Sequence, residues 1–182
     1  MAQVRPAGRN DAEAIARVHG RSWQTGYAHI FEADFLRSLD ETVGERVARL
    51  NDHFAAADPG HHVIVATVDG EVVGFAHYGV ARLHRYHDDT APDPDPDLGK
   101  GELYAIYVDP DQWDRGAGSM IMKAAIEGLT AQGYSEVILW MLEDNPRARR
   151  FYEQNGWRPD GRRDLFERGG VIAPEICMWR EL

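Results

Sequence analysis

Val108-Asp109-Pro110-Asp111-Gln112-Trp113-Asp114-Arg115-Gly116-Ala117-Gly118-Ser119 is the stretch on which the fold turns. Before it, residues 103–108 read as a strand ending at Asp109-Pro110; after it, residues 116–132 read as a helix stopped by Gly133. A helix start carries free backbone N–H groups and the positive end of the helix dipole, so it favours an anion. At Gly116 and Gly118 a missing Cβ lets a phosphate approach those amides, although glycines there are equally compatible with a tight turn alone. The ATP-type G-x-x-x-x-G-K-[ST] is absent. The dinucleotide fingerprint fails at Ile121, and its loop should leave the strand at once.

Working outward, residues 137–142 form a further strand, and Asn145-Pro146 opens a helix that ends near Asn155-Gly156. Strand, helix, strand, helix is a parallel βαβ signature. Residues 157–163 and 171–179, joined through Arg168-Gly169-Gly170, make a closing pair of strands. Upstream, residues 62–68 and 71–81 read as strands joined by a tight Asp69-Gly70 turn. The first third is helical. Val4 begins a short strand, Asn10 and Glu13 form a capping box, and Ile15, Val18, His19, Ser22 and Trp23 share one helix face. A second helical piece spans residues 33–39, and the capping box Thr42-x-x-Glu45 precedes Val47, Leu50 and Phe54 at helical spacing.

The chain has 182 residues, a net charge of −10, 43% hydrophobic residues and a single cysteine, Cys177. That length predicts a single domain over residues 1–182 with enough chain to close a core. One cysteine excludes an intramolecular disulfide and a cysteine-based zinc site, which fits a reducing, cytoplasmic setting. No apolar run approaches the ~20 residues that cross a bilayer, so no membrane partner is expected. A net negative chain repels polyphosphate, so nucleic acid is not expected either; a small-molecule amine fits better.

Arg115-Gly116-Ala117-Gly118 after a strand ending Val108-x-Pro110, followed by Asn145-Pro146-x-Ala148-x-x-Phe151-Tyr152-Glu153-x-x-Gly156-Trp157, resembles the GNAT family of acetyl-CoA-dependent N-acetyltransferases. The resemblance covers the chain from about Val63 onward, and Val18-His19-Gly20-Arg21-Ser22-Trp23-Gln24 is similar to the subgroup containing bacterial polyamine acetyltransferases. It implies an α/β fold with a mixed sheet of six or seven strands, helices on both faces, and a splay between the strand ending at Val108 and the strand near Val137. It also implies acetyl-CoA as co-substrate, no metal, and transfer to a primary amine by direct attack in a ternary complex; a CoA-binding sensor without turnover is the alternative. A homodimer is common in such families, and the oligomeric state stays open.

Residue by residue, the resemblance implies that amides of Arg115, Gly116, Ala117, Gly118 and Ser119 hold the pyrophosphate. The backbone of Ile106, Tyr107 and Val108 would pair with the pantetheine arm and polarise the thioester carbonyl. Asn145 and Tyr152 would face the cofactor from one side of their helix, with Tyr152 protonating the leaving thiolate. Glu102 is the candidate general base, with a plain structural carboxylate as the competing reading. The chain departs from the family pattern at Trp113 and Asp114, the latter placing a carboxylate near the expected pyrophosphate.

Residues 88–97 hold five aspartates and three prolines and read as an exposed loop that draws in polycations or merely aids solubility. His84 and His87 with Asp88 and Asp89 lack the second cluster that a metal site needs. His19, Trp23 and Tyr27 read as a buried helix face, on which the family resemblance implies that one residue touches substrate, and Arg147, Arg149 and Arg150 read as a solvated face.

Overall fold

A computed structural model describes residues 2–56, 58–82 and 97–182. In it a seven-stranded mixed sheet carries helices on both faces. The strands are β1 (Gln3–Pro6), β2 (His61–Val68), β3 (Glu71–Val80), β4 (Gly101–Val108), β5 (Glu136–Leu142), β6 (Arg158–Arg168) and β7 (Val171–Glu181), in the order β1-β2-β3-β4-β5-β7-β6. The helices are α1 (Ala12–Gly26), α2 (Ala33–Glu41), α3 (Val43–Ala56), α4 (Ala117–Ala131) and α5 (Pro146–Gln154).

Apolar residues on opposite faces of the strands explain the layering. Ile64, Ala76 and Leu103 pack with Ile121, Met122, Ala125 and Leu129 of α4, while Val63, Val65 and Phe75 pack with Ile15 and Val18 of α1. The β2–β3 turn is the expected one, with Asp69 and Gly70 both at positive φ (51° and 88°), the twist that a two-residue hairpin needs.

Neither predicted capping box forms at the residues expected. Ahead of α1 a short 3-10 turn, Arg9–Asp11, starts at Gly8, whose amide donates to Asp11 Oδ2 at 2.9 Å. Asp11 is held further by Arg5 at 2.8 Å, a pairing with β1 that local sequence does not announce. The Thr42 hydroxyl points back, donating to the Ser38 carbonyl at 3.2 Å.

The splay rests on one extra residue. β4 pairs with β3 in antiparallel register, but the register shifts so that Ala105 faces His77 and Leu103 faces Tyr78, leaving Tyr104 as the bulged residue. A bulge bends its strand and raises the local twist. The parallel ladder to β5 runs only through Gly101↔Val137 and Glu102↔Ile138, immediately before the bulge. Beyond it β4 leaves β5, and a gap opens in the middle of the sheet.

Of the acidic stretch, residues 88–96 lie outside the described residues, as do His84 and His87. Asp97 differs from its reading as an exposed charge: it is 3% exposed, and both its oxygens accept from Arg162 Nη1 at 2.9 Å.

Candidate active site

A cleft of about 570 Å³ occupies the gap between β4 and β5. Its walls are the free edge of β4 from Leu103 to Val108, the turn into α4, Trp140 and Met141 of β5, the cleft side of α5, and Ser22, Gly26 and Tyr27 at the end of α1.

The helix start predicted after Arg115 forms at Ala117. Gly116 adopts φ +88° as the N-cap of α4, and the first intrahelical bond runs from the Met120 amide to the Gly116 carbonyl at 3.1 Å. The amides of Ala117, Gly118 and Ser119 are therefore without helical partners at the positive end of a fifteen-residue helix. Gly116, Gly118 and Ser119 line the cleft; the Arg115 side chain is exposed outside it and that of Ala117 is buried in the core. The reason for glycine at 118 differs from the expected one. An added Cβ would stand 3.3 Å from Phe151 Cε2, so the glycine lets α4 approach α5.

Along β4 the backbone groups divide. The Asp109 amide donates to the Val73 carbonyl at 2.8 Å, so Asp109 faces β3. Alternation then turns the polar groups of Val108 and Ile106 into the gap and those of Tyr107 toward β3. Tyr107 backbone pairing with a cofactor arm is thus not available, and its side chain faces the site instead. The Val108 carbonyl is already engaged, accepting from Ser22 Oγ and Trp113 Nε1, each at 2.8 Å. That leaves the Val108 N–H and both groups of Ile106 for a ligand.

Three phenols converge on the gap. Tyr107 accepts from Trp23 Nε1 at 3.0 Å, which leaves its own proton to be donated. Tyr27 lies beside Tyr107 and Asn145. Asn145 is 9% exposed and its Oδ1 caps α5 by accepting from the Ala148 amide at 3.0 Å, so it serves the cleft by fixing the start of α5. Tyr152, on the next turns of α5, lines the cleft with Tyr107 as its neighbour. Burial pushes the ionisation of Tyr152, Tyr107 and Tyr27 above the ordinary phenol value, with the neighbouring phenols adding to the shift at Tyr152 and Tyr27. All three stay protonated at neutral pH.

Glu102 does not meet the expectation of a base acting directly on the amine. It is fully buried at the start of β4 and is not among the cleft-lining residues. Its Oε2 accepts from the Arg82 amide at 2.9 Å, and the Arg82 guanidinium engages both oxygens. A carboxylate so held has its lone pairs committed to a cation. The arginines of α5 also depart from a solvated face: Arg147 and Arg150 line the cleft. Arg147 lies 4.2 Å over the Trp113 ring and donates to both Asp114 oxygens at 3.1 Å. The two positions that depart from the family pattern are thus tied together by a third, and the Asp114 charge is offset by its partner. The sequence signal for this group is that Trp113, Asp114 and Arg147 fall in the two motifs that face each other.

A model of the acetyltransferase (GNAT) family matches residues 22–157. The chain belongs to the GNAT family. An uncharacterised N-acetyltransferase of Bacillus subtilis, YuaI, is 32% identical over 187 residues, covering all of this chain and 95% of the relative. A mycothiol acetyltransferase of Clavibacter sepedonicus is 31% identical over 111 residues, but this match spans 60% of the chain and only 31% of that protein. Among solved structures, the PaiA N-acetyltransferase of Thermoplasma acidophilum in complex with coenzyme A superimposes with a TM-score of 0.72 over 96% of this chain and 98% of that one; at 18% identity the likeness is one of fold.

This GNAT chain is an acetyl-CoA-dependent acyltransferase. The cleft suits that co-substrate: free helix amides at one end for a pyrophosphate, an unpaired strand edge for an amide-bearing arm, and a partly buried, protonated phenol in its wall. Among the described residues no group of three or more His, Cys, Asp and Glu is arranged to hold a metal ion, and no helix is long and apolar enough to cross a membrane.

Proposed function

We propose that this GNAT enzyme acetylates the amine of a small-molecule acceptor by direct attack in a ternary complex, with Tyr152 as the acid. The observation that supports it is the place of Tyr152, a protonated phenol in the cleft wall opposite the free edge of β4. The amine nitrogen forms a bond to the thioester carbonyl carbon, the C–S bond breaks, and the Tyr152 proton goes to the departing sulfur. The proton lost by the amine passes to water, since among the described residues lining the cleft the only carboxylate is Asp114, which Arg147 holds. The Tyr107 hydroxyl, whose oxygen accepts from Trp23, is the donor for the carbonyl oxygen as charge develops on it.

A preference for polyamines has one support in the sequence, the aspartates of residues 88–97. Asp97 does not contribute to it, being buried against Arg162.

Tyr152→Phe tests the acid. We expect kcat to fall by ~10²–10⁴ with the acetyl-CoA dissociation constant nearly unchanged, because the ring stays and only the proton is lost. A fall below about threefold overturns the assignment. Tight acetyl-CoA binding, with no amine of a broad panel provoking thiol release, would instead support a sensor without turnover.

A further inference from the structure

Beside the phenol cluster the protein gathers positive charge without gathering negative. Arg46 of α3 is 8% exposed, and its hydrogen bond, Nη1 to the Ala16 carbonyl, is long at 3.4 Å. Arg168, at the end of β6, lies 5.0 Å over the Trp23 ring. Among the described residues no carboxylate forms an ion pair with either guanidinium. The nearest acidic group felt by Arg46 is Asp40, which is exposed and accepts from Gln24 Nε2 at 3.0 Å. The two guanidiniums lie close enough to repel each other, and Arg49 adds to the same field.

His19 stands in the same place. Its ring stacks on Trp23 at 5.5 Å and meets Tyr107 edge-on at 5.0 Å, and its buried Nδ1 has no hydrogen-bond partner. Burial and the arginines hold its pKa down at about 3, so it is neutral and adds no charge of its own. Tyr107 ties this corner to the chemistry: it lines the cleft, accepts from Trp23, and lies in the field of Arg168.

Like charges brought together in a partly dry corner repel each other, and each guanidinium keeps planar donors that suit a carboxylate. An anion relieves both costs at once. We propose that Arg168, backed by Arg46 and His19, receives the carboxylate of the acceptor, which makes the acceptor a small amine that also carries a carboxylate. This deepens the acetyl-transfer reading and rests on it for the placement of the amine, which reaches past Tyr107 toward the thioester. Trp23, Phe31 and Phe166 pack against one another beside Arg168, and the rings of Tyr27 and Tyr107, which sit against Trp23 and line the cleft, provide the wall for the acceptor's middle. A polycation meets repulsion in this corner.

The test uses matched pairs that differ only by the carboxylate: L-phenylalanine with 2-phenylethylamine, and L-lysine with cadaverine. Binding is followed by tryptophan fluorescence with and without coenzyme A, and turnover by thiol release from acetyl-CoA. In at least one pair the carboxylate-bearing member should bind or saturate roughly tenfold or more tightly than its partner. Arg168→Gln should bring that ratio toward one mainly through KM, and Arg168→Lys should keep part of it, since the charge survives and the fork is lost. Arg37→Gln, a change at an exposed arginine paired with Asp34, should leave the ratio alone. A ratio near one in every pair, no saturation by any carboxylate-bearing member, or a ratio that survives Arg168→Gln overturns the subsite. A binding ratio that obeys Arg168 without any thiol release keeps the subsite and overturns acetyl transfer.

Discussion

At Gly116 the backbone φ is +88° and nothing lies within 4 Å of an added Cβ, whereas at Gly118 φ is ordinary and the added Cβ meets Phe151. The first glycine is required by conformation and the second by proximity. Gly116→Ala should therefore lower stability by about 1 kcal/mol, read from urea unfolding, because an L-residue is held in the left-handed region. Gly118→Ala asks Phe151 to yield by a few tenths of an ångström; it should raise the acetyl-CoA KM several-fold with a small change in melting temperature, and Gly118→Val should lose stability as well. Equal thermal losses in the two alanine variants, with unaltered KM at 118, would show that both glycines serve the turn alone. The motif Arg115-Gly116-Ala117-Gly118 makes both residues visible in the sequence, but not which of the two reasons applies to which.

The turn into α4 and the start of α5 come from distant parts of the chain and are strapped together by Trp113, Arg147 and Asp114. As an exposed pair, Arg147 with Asp114 is worth at most about 1 kcal/mol of stability. Its larger consequence is electrostatic, because Asp114 lines the same cleft end as the free amides of α4. Arg147→Gln should weaken acetyl-CoA binding by several-fold, and adding Asp114→Asn should restore much of the loss, with calorimetric titration as the check; no recovery in the double variant would mean that Arg147 acts by direct contact alone. At this scale much of the fold is legible in the sequence. The βαβ pattern around Val108 to Ser119, the Asp69-Gly70 hairpin and the Asn145 cap are local signals, and the structure has each of them in the expected place. Local signals do not carry pairing beyond the next turn or two of chain: Arg5 with Asp11 between β1 and the first turn, Arg82 with Glu102, and Asp97 with Arg162 each replace an expectation drawn from nearer neighbours.

Over the whole molecule, two buried histidines couple folding to proton concentration. Burial first, then nearby positive charge, holds His19 near pKa 3 and His77 near 4, and His77 Nε2, like His19 Nδ1, lacks a hydrogen-bond partner. Both values lie below the unfolded histidine value of about 6.5, so the stability they contribute is present above that pH and is lost as pH falls toward the folded values. Each should cost about 2 kcal/mol between pH 7.5 and pH 5. Urea midpoints across that range should therefore drop, and His77→Leu should flatten the slope; a variant with the wild-type slope would exclude His77 as a contributor. The bulge at Tyr104 has a reach of its own. Because side chains alternate along a strand, one surplus residue puts the two halves of β4 out of phase: Leu103 joins Ile106 and Val108 on the α4 side, where unbroken alternation would have placed it with Ala105. The strand thus behaves as two strands of opposite parity laid end to end, and the opening in the sheet is the mark of the odd count. Deleting Tyr104 would bring the count back to even, leave Gly101, Glu102 and Leu103 on the faces and against the β3 partners they already have, and straighten the strand so that the β4–β5 ladder extends past Glu102; a change of one in the length of the chain would shut the cleft.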